Sequence, residues 1–363
     1  MLVFIRRIIF LLNGLLFLAL VLAAMAGYIS PQRWWLPGFF GLTFPVWLIA
    51  NVFFVLFWLI FQKRQIWLSI LGLVAAWPAS MHSFAFHPFE KQDLDTGIKV
   101  MTYNVRNFDL YNWKFNVENR EKILQMLEGE MPDILCLQEY YTELSGKFEN
   151  LQTLKRRLKL PYHAMHRTFS INVEKHFGQV IFSNYPILSR GIIEFPESPN
   201  NACIFADILI PGDTIRVFNV HLQSIQLGTE GETAVEEMIY KQRTDWQRSK
   251  YVLSKLRKGF VQRAGQAEVL KAAILSSPYK VLVCGDFNDT PASYTYAQLS
   301  GELRDAFLEK SFGIGSTFAG RIPGLRIDYI FTDPGFRIHG FKRIPRAVSD
   351  HYPLICSIKT GRE

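Results

Sequence analysis

No aspartate or glutamate occurs before residue 88, although Arg6, Arg7, Arg33, Lys63 and Arg64 do. The formal charge of +8 is therefore uneven, and the remainder of the chain holds 35 basic against 32 acidic residues, a net of +3. So small an excess gives no independent support for a nucleic-acid surface, which calls for a concentrated basic patch or stripe. Cysteine is scarce. Cys136, Cys203, Cys284 and Cys356 lie far apart with no Cys-x-x-Cys pairing, which argues against a disulfide framework or a zinc site. Each sits in an apolar run and reads as a small buried hydrophobe. A Walker loop, zinc-type His/Cys spacing, internal repeats and low-complexity segments are all missing.

Long apolar runs, by contrast, are plentiful at the start. Ile8 to Tyr28 has no charge and one polar side chain, Asn13, and Gly38 to Phe61 is equally uncharged, with Pro45 and Asn51 its awkward members. A run of about 20 such residues spans the hydrocarbon core as a helix. Ile66 to Phe86 is a weaker third candidate, interrupted by Pro78, His82 and serines. The expectation is a membrane segment over residues 1–87 with about three spans, seated in lipid of an inner or plasma membrane. Arg6-Arg7 ahead of Ala24-Met25-Ala26 also fits a cleaved leader, but the second long run argues against simple secretion. Basic residues flank the first span and sit between the second and third, which puts the amino terminus in the cytoplasm. Three crossings then deliver the rest of the chain to the non-cytoplasmic side; two would leave it cytoplasmic.

From about Gly97 the texture changes to short apolar strands between polar or helical stretches. The candidates are KVMTYNV, DILCLQE, QVIFSNYPIL, ACIFADILI, TIRVFNVHL, KVLVCGDFN, RIDYIFT and PLICSIK. Ile210-Pro-Gly-Asp-Thr214 reads as a hairpin turn. Asn116 to Glu130 is helical in pattern, with Ile123, Leu124 and Leu127 on one face, and a second helical stretch covers 230–276. The latter is rich in Lys and Arg, as a solvated helix face often is. Strands mixed with helices predict two packed sheets with helices outside, one domain over residues 97–363.

Polar residues recur where these strands end: Tyr103-Asn104, Gln138-Glu139, Asn219-Val220-His221, Gly285-Asp286-Phe287-Asn288, Asp328 within RIDYIF, and Ser349-Asp350-His351. Singly, each is accounted for by turn capping or a packed polar group. Glu139 and Asp328 are harder to dismiss, because a carboxylate against a core strand is costly unless paired or bound to a cation. Jointly they form a set that hard-cation phosphoryl chemistry requires. Mg²⁺ takes oxygen ligands and acts as a Lewis acid on the phosphoryl oxygen. Another carboxylate takes a proton from water, and His or Asn donors stabilise developing charge.

The segments MTYNVRNF, LCLQEY, GQVIFSNYPI, NVHLQS, GDFNDTP, RIDYIF and SDHYPL occur in that order between residues 101 and 354. In wording and order they resemble the endonuclease/exonuclease/phosphatase superfamily, which includes deoxyribonuclease I-like nucleases, apurinic endonucleases, neutral sphingomyelinases and inositol polyphosphate 5-phosphatases. The resemblance implies a four-layer α/β/β/α sandwich with a site at one edge of the sheets. It implies that Glu139 is the principal ligand of Mg²⁺ (or Mn²⁺), with Asn104 beside it and Asp350 in support. Asp286 would orient or deprotonate the attacking water, and Asn288 would be a transition-state donor. His221 matches a phosphate-contacting or acidic position, His351 would touch the scissile phosphate, and Asp328 would orient a catalytic histidine. Whether Asp286 or His351 is the base stays open.

The reading is a membrane-anchored phosphate-ester hydrolase, with nucleic acid or a phospholipid or sphingolipid headgroup as substrate. Its rival is a protein that binds phosphorylated ligands without turnover, although no expected catalytic position is lost. A transport role for the spans is opposed by their lack of charge. Nothing points to a protein partner.

Overall fold

A computed structural model describes residues 2–61, 65–195, 197–198, 201–225, 246–320, 322, 324–345 and 348–361. Contacts divide the chain into two compact units, one of Met1–Phe84, Ile225–Gly265 and Asp289–Gln298, the other of Ala85–Ser224, Gln266–Asn288 and Leu299–Glu363. Two stretches after residue 97 thus group with the hydrophobic segment, where the sequence division had placed them in the later domain.

In the first unit the apolar runs form helices Leu2–Met25, Leu36–Leu42, Phe44–Phe61, Ile66–Ala75 and Trp77–Ser83. Two of these are long and apolar enough to cross a membrane, and the last two, bent by 59°, make a third if counted together. The third hydrophobic run therefore stops being helical at Ser83, and Ala85–Phe86 is already strand. The awkward polar residues of the runs prove to be internal. Asn13 donates through Nδ2 to Ser69 Oγ at 2.7 Å and accepts from Trp58 Nε1 at 2.9 Å, all three fully buried. Asn51 Nδ2 donates to the Leu16 carbonyl at 3.0 Å. Ile8, Leu11, Leu15, Leu18, Ile49, Phe53, Leu56 and Ile60 remain exposed on the outer faces. Within the same unit Phe260 meets Phe39 edge-on at 5.2 Å, and the buried Arg263 pairs with Asp289 at 3.1 Å.

The second unit is an α/β/β/α sandwich. Its strands in chain order are β1 (Ala85–Phe86), β2 (Ile98–Asn104), β3 (Ile134–Glu143), β4 (Tyr162–Ile171), β5 (Lys175–Ser183), β6 (Ile187–Glu194) and β7 (Ala202–Ile210). They continue with β8 (Asp213–His221), β9 (Lys280–Asp286), β10 (Arg304–Asp305), β11 (Phe312–Gly313), β12 (Asp328–Thr332), β13 (Phe336–Arg343) and β14 (Leu354–Thr360). One sheet has the order β10-β12-β9-β8-β7-β6, the other β13-β14-β2-β3-β5-β4, and β1 pairs with β11 in a small ribbon. Between the large sheets lies a core of Val100, Ile134, Cys136, Ile181, Ile204, Val217, Leu282, Cys284, Ile330 and Cys356 among others. On the outer face of the second sheet, Met101, Leu135, Leu137 and Phe182 pack with Ile123, Leu124 and Leu127 of the helix Asn116–Glu130. All four cysteines are buried and free.

The expected hairpin at 210–214 joins β7 to β8, with Gly212 at φ 79°. The run QVIFSNYPIL, read as a single strand, is two. β5 ends at Ser183 in one sheet and β6 starts at Ile187 in the other, because Pro186 cannot donate to a ladder and its carbonyl instead accepts from Leu209 N at 2.9 Å. Within the stretch 230–276 the helix covers Trp246–Leu275, and 226–245 lies outside the described residues.

Candidate active site

Register brings the polar strand ends together. β8 and β9 run parallel with His221 opposite Asp286, and β9 pairs with β12 so that Asp286 also lies opposite Asp328. The glycine ahead of Asp286 is required by this approach: Gly285 has φ 143°, and a Cβ there would lie 2.0 Å from the Val220 carbonyl oxygen. From the other sheet, β2 and β3 run parallel with Asn104 opposite Gln138. The pairing of β3 with β5 shifts between Leu137 and Tyr140, and within that bulge Glu139 adopts φ 46°. A left-handed backbone is costly for a residue with a Cβ and collects at functional sites. Here it separates two neighbours. Gln138 turns into the interior and donates to Asn219 Oδ1 at 2.7 Å, while the Glu139 carboxylate stays a third exposed.

The sheets are joined at Asn104, whose Nδ2 donates to Asp286 Oδ2 at 3.0 Å and to Glu139 Oε1 at 3.2 Å. Its Oδ1 accepts from the Arg106 backbone at 3.1 Å. Asn104 therefore presents its amide nitrogen to the two carboxylates, in place of the carbonyl oxygen that a metal ligand would offer. His221 Nε2 lies 3.8 Å from Glu139 Oε1 and 3.9 Å from Asp286 Oδ2 and, although this nitrogen is buried, makes no hydrogen bond among the described residues.

His351 is held from both sides. Its Nδ1 is 2.9 and 3.0 Å from the two oxygens of Asp328, and its Nε2 faces Asp286 Oδ2 at 3.6 Å. Burial opposes a charge on this imidazole, but Asp328 and Asp286 outweigh it and push the group up to about 10. Asp286 is itself raised above the ordinary carboxylate range, first by burial, with His351 pulling the other way. Asp286, Asp328 and His351 offer ligand atoms all within 4.8 Å of one another, a group that could hold a metal ion. Both Asp328 oxygens are already turned to His351, however, so the Asp328–His351 arrangement is better suited to fixing a ring than to binding a cation.

Asn288 sits at φ 52°; its backbone N donates to Asp286 Oδ1 at 2.9 Å and its Nδ2 to the Leu222 carbonyl at 3.0 Å. Asp350 is at the rim, its Oδ2 3.7 Å from Arg106 Nε. Several supporting residues escape sequence reasoning. Ser349 Oγ donates to the Asn104 carbonyl at 2.9 Å, and Thr317 Oγ1 accepts from the backbone of Ile327 and Asp328 at 2.9 and 3.0 Å. Phe318 bridges to His351 and meets its ring edge-on at 5.6 Å. Arg106 begins four residues, Arg106 to Asp109, that all have φ between 45° and 55°. Ser349, beside Asp350-His351, and Arg106, within MTYNVRNF, carried a sequence signal; Thr317 and Phe318 did not.

The donor set suits a hard divalent cation, because carboxylate oxygens predominate. The Glu139 carboxylate is a third exposed, and His221 Nε2 faces both it and Asp286 from 3.8 and 3.9 Å, beyond hydrogen-bond distance.

The profile of the Endonuclease/Exonuclease/phosphatase family matches residues 101–351, and a domain of unknown function matches residues 6–83. No curated protein matches the sequence. Among solved structures, an endonuclease/exonuclease/phosphatase from Beutenbergia cavernae aligns with a TM-score of 0.51 at 16% identity, over 73% of this chain and 72% of its own. The human nocturnin catalytic domain, solved with bound sulfate, aligns with a TM-score of 0.51 at 20% identity over 77% and 98%. A family protein from Bacteroides thetaiotaomicron gives 0.50 at 19% identity over 72% and 97%. At these identities the likeness establishes the fold.

Proposed function

The chain belongs to the endonuclease/exonuclease/phosphatase family, and from that premise we propose that it is a divalent-metal-dependent hydrolase of phosphate esters, a phosphodiesterase anchored in a membrane. The observation that carries this reading is the meeting at Asp286 of groups from both sheets: Asn104 at 3.0 Å, His351 at 3.6 Å and His221 at 3.9 Å.

Mg²⁺, or Mn²⁺ in its place, would be held by Glu139 with Asp350 in support, and when bound it supplies Lewis-acid polarisation of the phosphoryl oxygen. Asn104 fixes Glu139 against Asp286. His351, charged at neutral pH, donates from Nε2 to a non-bridging phosphate oxygen while Asp328 holds its ring. A group already protonated cannot take a proton, so Asp286 is the base. It accepts a proton from water as the water oxygen attacks phosphorus and the ester oxygen departs. His221 and Asn288 would act as donors to the phosphate.

The exposed apolar faces of Leu2–Met25 and Phe44–Phe61 support anchorage in lipid, and a lipid-borne headgroup is the substrate class that such a location favours, with nucleic acid the alternative. Hydrolysis of bis-p-nitrophenyl phosphate by the full-length protein tests the chemistry. Turnover is expected with Mg²⁺ or Mn²⁺, to vanish in EDTA, and to fall at least about 10²-fold in Glu139→Ala and in His351→Ala. Activity that survives chelation would overturn the mechanism, and ligand binding without any turnover would favour the binding-only reading. Plasmid DNA, sphingomyelin and phosphoinositides then separate the substrates.

A further inference from the structure

Asp328 opens β12 in one sheet and His351 precedes β14 in the other, so among the described strands no ladder joins the two residues. Their 2.9 Å contact must be set in another way. β12 pairs with β9 along its whole length, but on its other side β10 is two residues long and reaches only Phe331 and Thr332. The edge of β12 at Asp328 lies beyond that short strand. Buried backbone N–H groups require an acceptor, and those of Ile327 and Asp328 find it in a side chain: Thr317 Oγ1 accepts from them at 2.9 and 3.0 Å. A hydroxyl oxygen has two lone pairs, so the two bonds take up its capacity as an acceptor. Thr317 is 1% exposed, and bulk water does not reach this oxygen.

The same residue holds the histidine through its main chain. The Thr317 carbonyl accepts from Tyr352 N at 2.7 Å, and Ala319 N donates to the Asp350 carbonyl at 2.7 Å, which places Phe318 opposite His351. Thr317 N donates to the Leu325 carbonyl at 2.8 Å, so the threonine is itself fixed. On the far side of the tie, the Ile327 carbonyl accepts from Phe287 N at 2.9 Å, one residue beyond Asp286. Thr317 therefore joins the backbone of Asp328 to the backbone on both sides of His351, and the link to Asp328 runs through one side-chain atom.

We propose that Thr317 is a positioning residue of the site: its hydroxyl sets the Asp328 carboxylate against His351 Nδ1, and thereby the aim of Nε2 at the phosphate. This role rests on the reading of the site as a phosphate-ester hydrolase. Thr317 acts through Asp328 and meets neither the phosphate nor the attacking water. Side chains at position 317 then divide by chemistry. Serine supplies the same oxygen, and cysteine offers only a weak acceptor. Valine keeps the shape of threonine but leaves two buried N–H groups unpaired, so the start of β12 shifts and Asp328 moves with it. Displacements of about 1 Å at a reacting group cost as much as about 10²-fold in rate.

Steady-state hydrolysis of bis-p-nitrophenyl phosphate by the full-length protein with Mg²⁺ or Mn²⁺ tests this, at a temperature where circular dichroism shows each variant folded. Thr317→Val is expected to lower kcat by about 10- to 10²-fold with KM changed less than about twofold. Thr317→Ser should return kcat to within about threefold of wild type, and Thr317→Cys, which serves if the valine variant does not fold, should lie between them. Because Thr317 works through Asp328, adding Thr317→Val to Asp328→Asn should cost less than about a further twofold. A folded valine or cysteine variant with wild-type kcat would overturn the positioning role and leave the hydrolase reading standing, even if its thermal midpoint fell. So would a serine variant as slow as the valine one, or a loss that multiplies in full with Asp328→Asn. Wild-type protein without turnover on either metal would sink the hydrolase reading and take the positioning role with it.

Discussion

His351 is buried between two carboxylates that act on different nitrogens. Asp328 engages Nδ1 at 2.9 Å and fixes the ring, while Asp286 faces Nε2 at 3.6 Å and leaves room for a ligand to intervene. Replacing Asp328 by Asn keeps the shape but removes charge from the orienting side. We expect Asp328→Asn to lower kcat by about 10²- to 10⁴-fold with little change in KM, and to move the alkaline limb of the pH–rate profile to lower pH. A stability measurement checks the same electrostatics without turnover. The folded-state His351 is pushed up to about 10, above the ordinary value of about 6.5. Its contribution to stability is then fully present below about 6.5 and lost as pH rises through about 10. In EDTA, urea unfolding of the wild type should therefore lose stability between about pH 7 and 10, and the Asp328→Asn variant should show a flatter dependence. Equal slopes in both proteins would remove Asp328 as the cause.

At the level of elements, what was legible in the sequence follows from where each strand lies. The central strands β2, β3, β5, β7, β8, β9, β12 and β14 are apolar runs because they are covered on both faces. β4, β10 and β13, which the sequence reading missed, and β6, of which the expected run QVIFSNYPIL reached only the start, are the four outer strands of the two sheets. β6 shows the reason: Leu188, Ser189, Arg190 and Ile192 face water, so its residues carry no continuous apolar signal. The candidate site residues stood out in the sequence because they interrupt apolar runs. Thr317 and Phe318 were not, because their role arises only when the loop after β11 folds back onto His351. In the first unit, Asn13 stood out as a flaw in an apolar run and proves to be the junction of three helices, bonded to Ser69 at 2.7 Å and Trp58 at 2.9 Å. Asn13→Leu leaves both partners unsatisfied in an apolar setting, and such interhelical bonds contribute about 0.6–2 kcal/mol each. A lowered midpoint of thermal unfolding in detergent is expected, with recovery in the triple variant Asn13→Leu, Ser69→Ala, Trp58→Phe. An unchanged midpoint in the single variant would mean that the bonds are energetically idle.

For the whole molecule, the compartment of the site depends on the bent pair Ile66–Ala75 and Trp77–Ser83. A straight helix over these residues would measure about 27 Å at about 1.5 Å per residue, a little under the hydrocarbon thickness of about 30 Å. The 59° bend shortens it further. Crossing then requires local thinning or anchoring at the ends, an adjustment that costs only fractions of a kcal/mol per Å. Exposed Trp67 and Trp77 and the apolar composition favour that adjustment over a loop returning to the side of entry. Charge gives the direction. Arg6 and Arg7 lie at the start of the first span and only Arg33 lies in the loop that follows; Lys63 and Arg64, which agree with this bias, lie outside the described residues. This bias predicts a cytoplasmic amino terminus, and three crossings would then put His351 and its neighbours on the opposite side. Alkaline phosphatase fused after Glu363 of the full chain in a bacterial host should be active, and a green fluorescent protein fused there through the same export route should stay dark. The reverse pattern would make the bent pair a re-entrant loop and the site cytoplasmic. The chemistry at Asp286 would be untouched, but the phosphate esters within its reach would then be those of the inner leaflet and the cytosol.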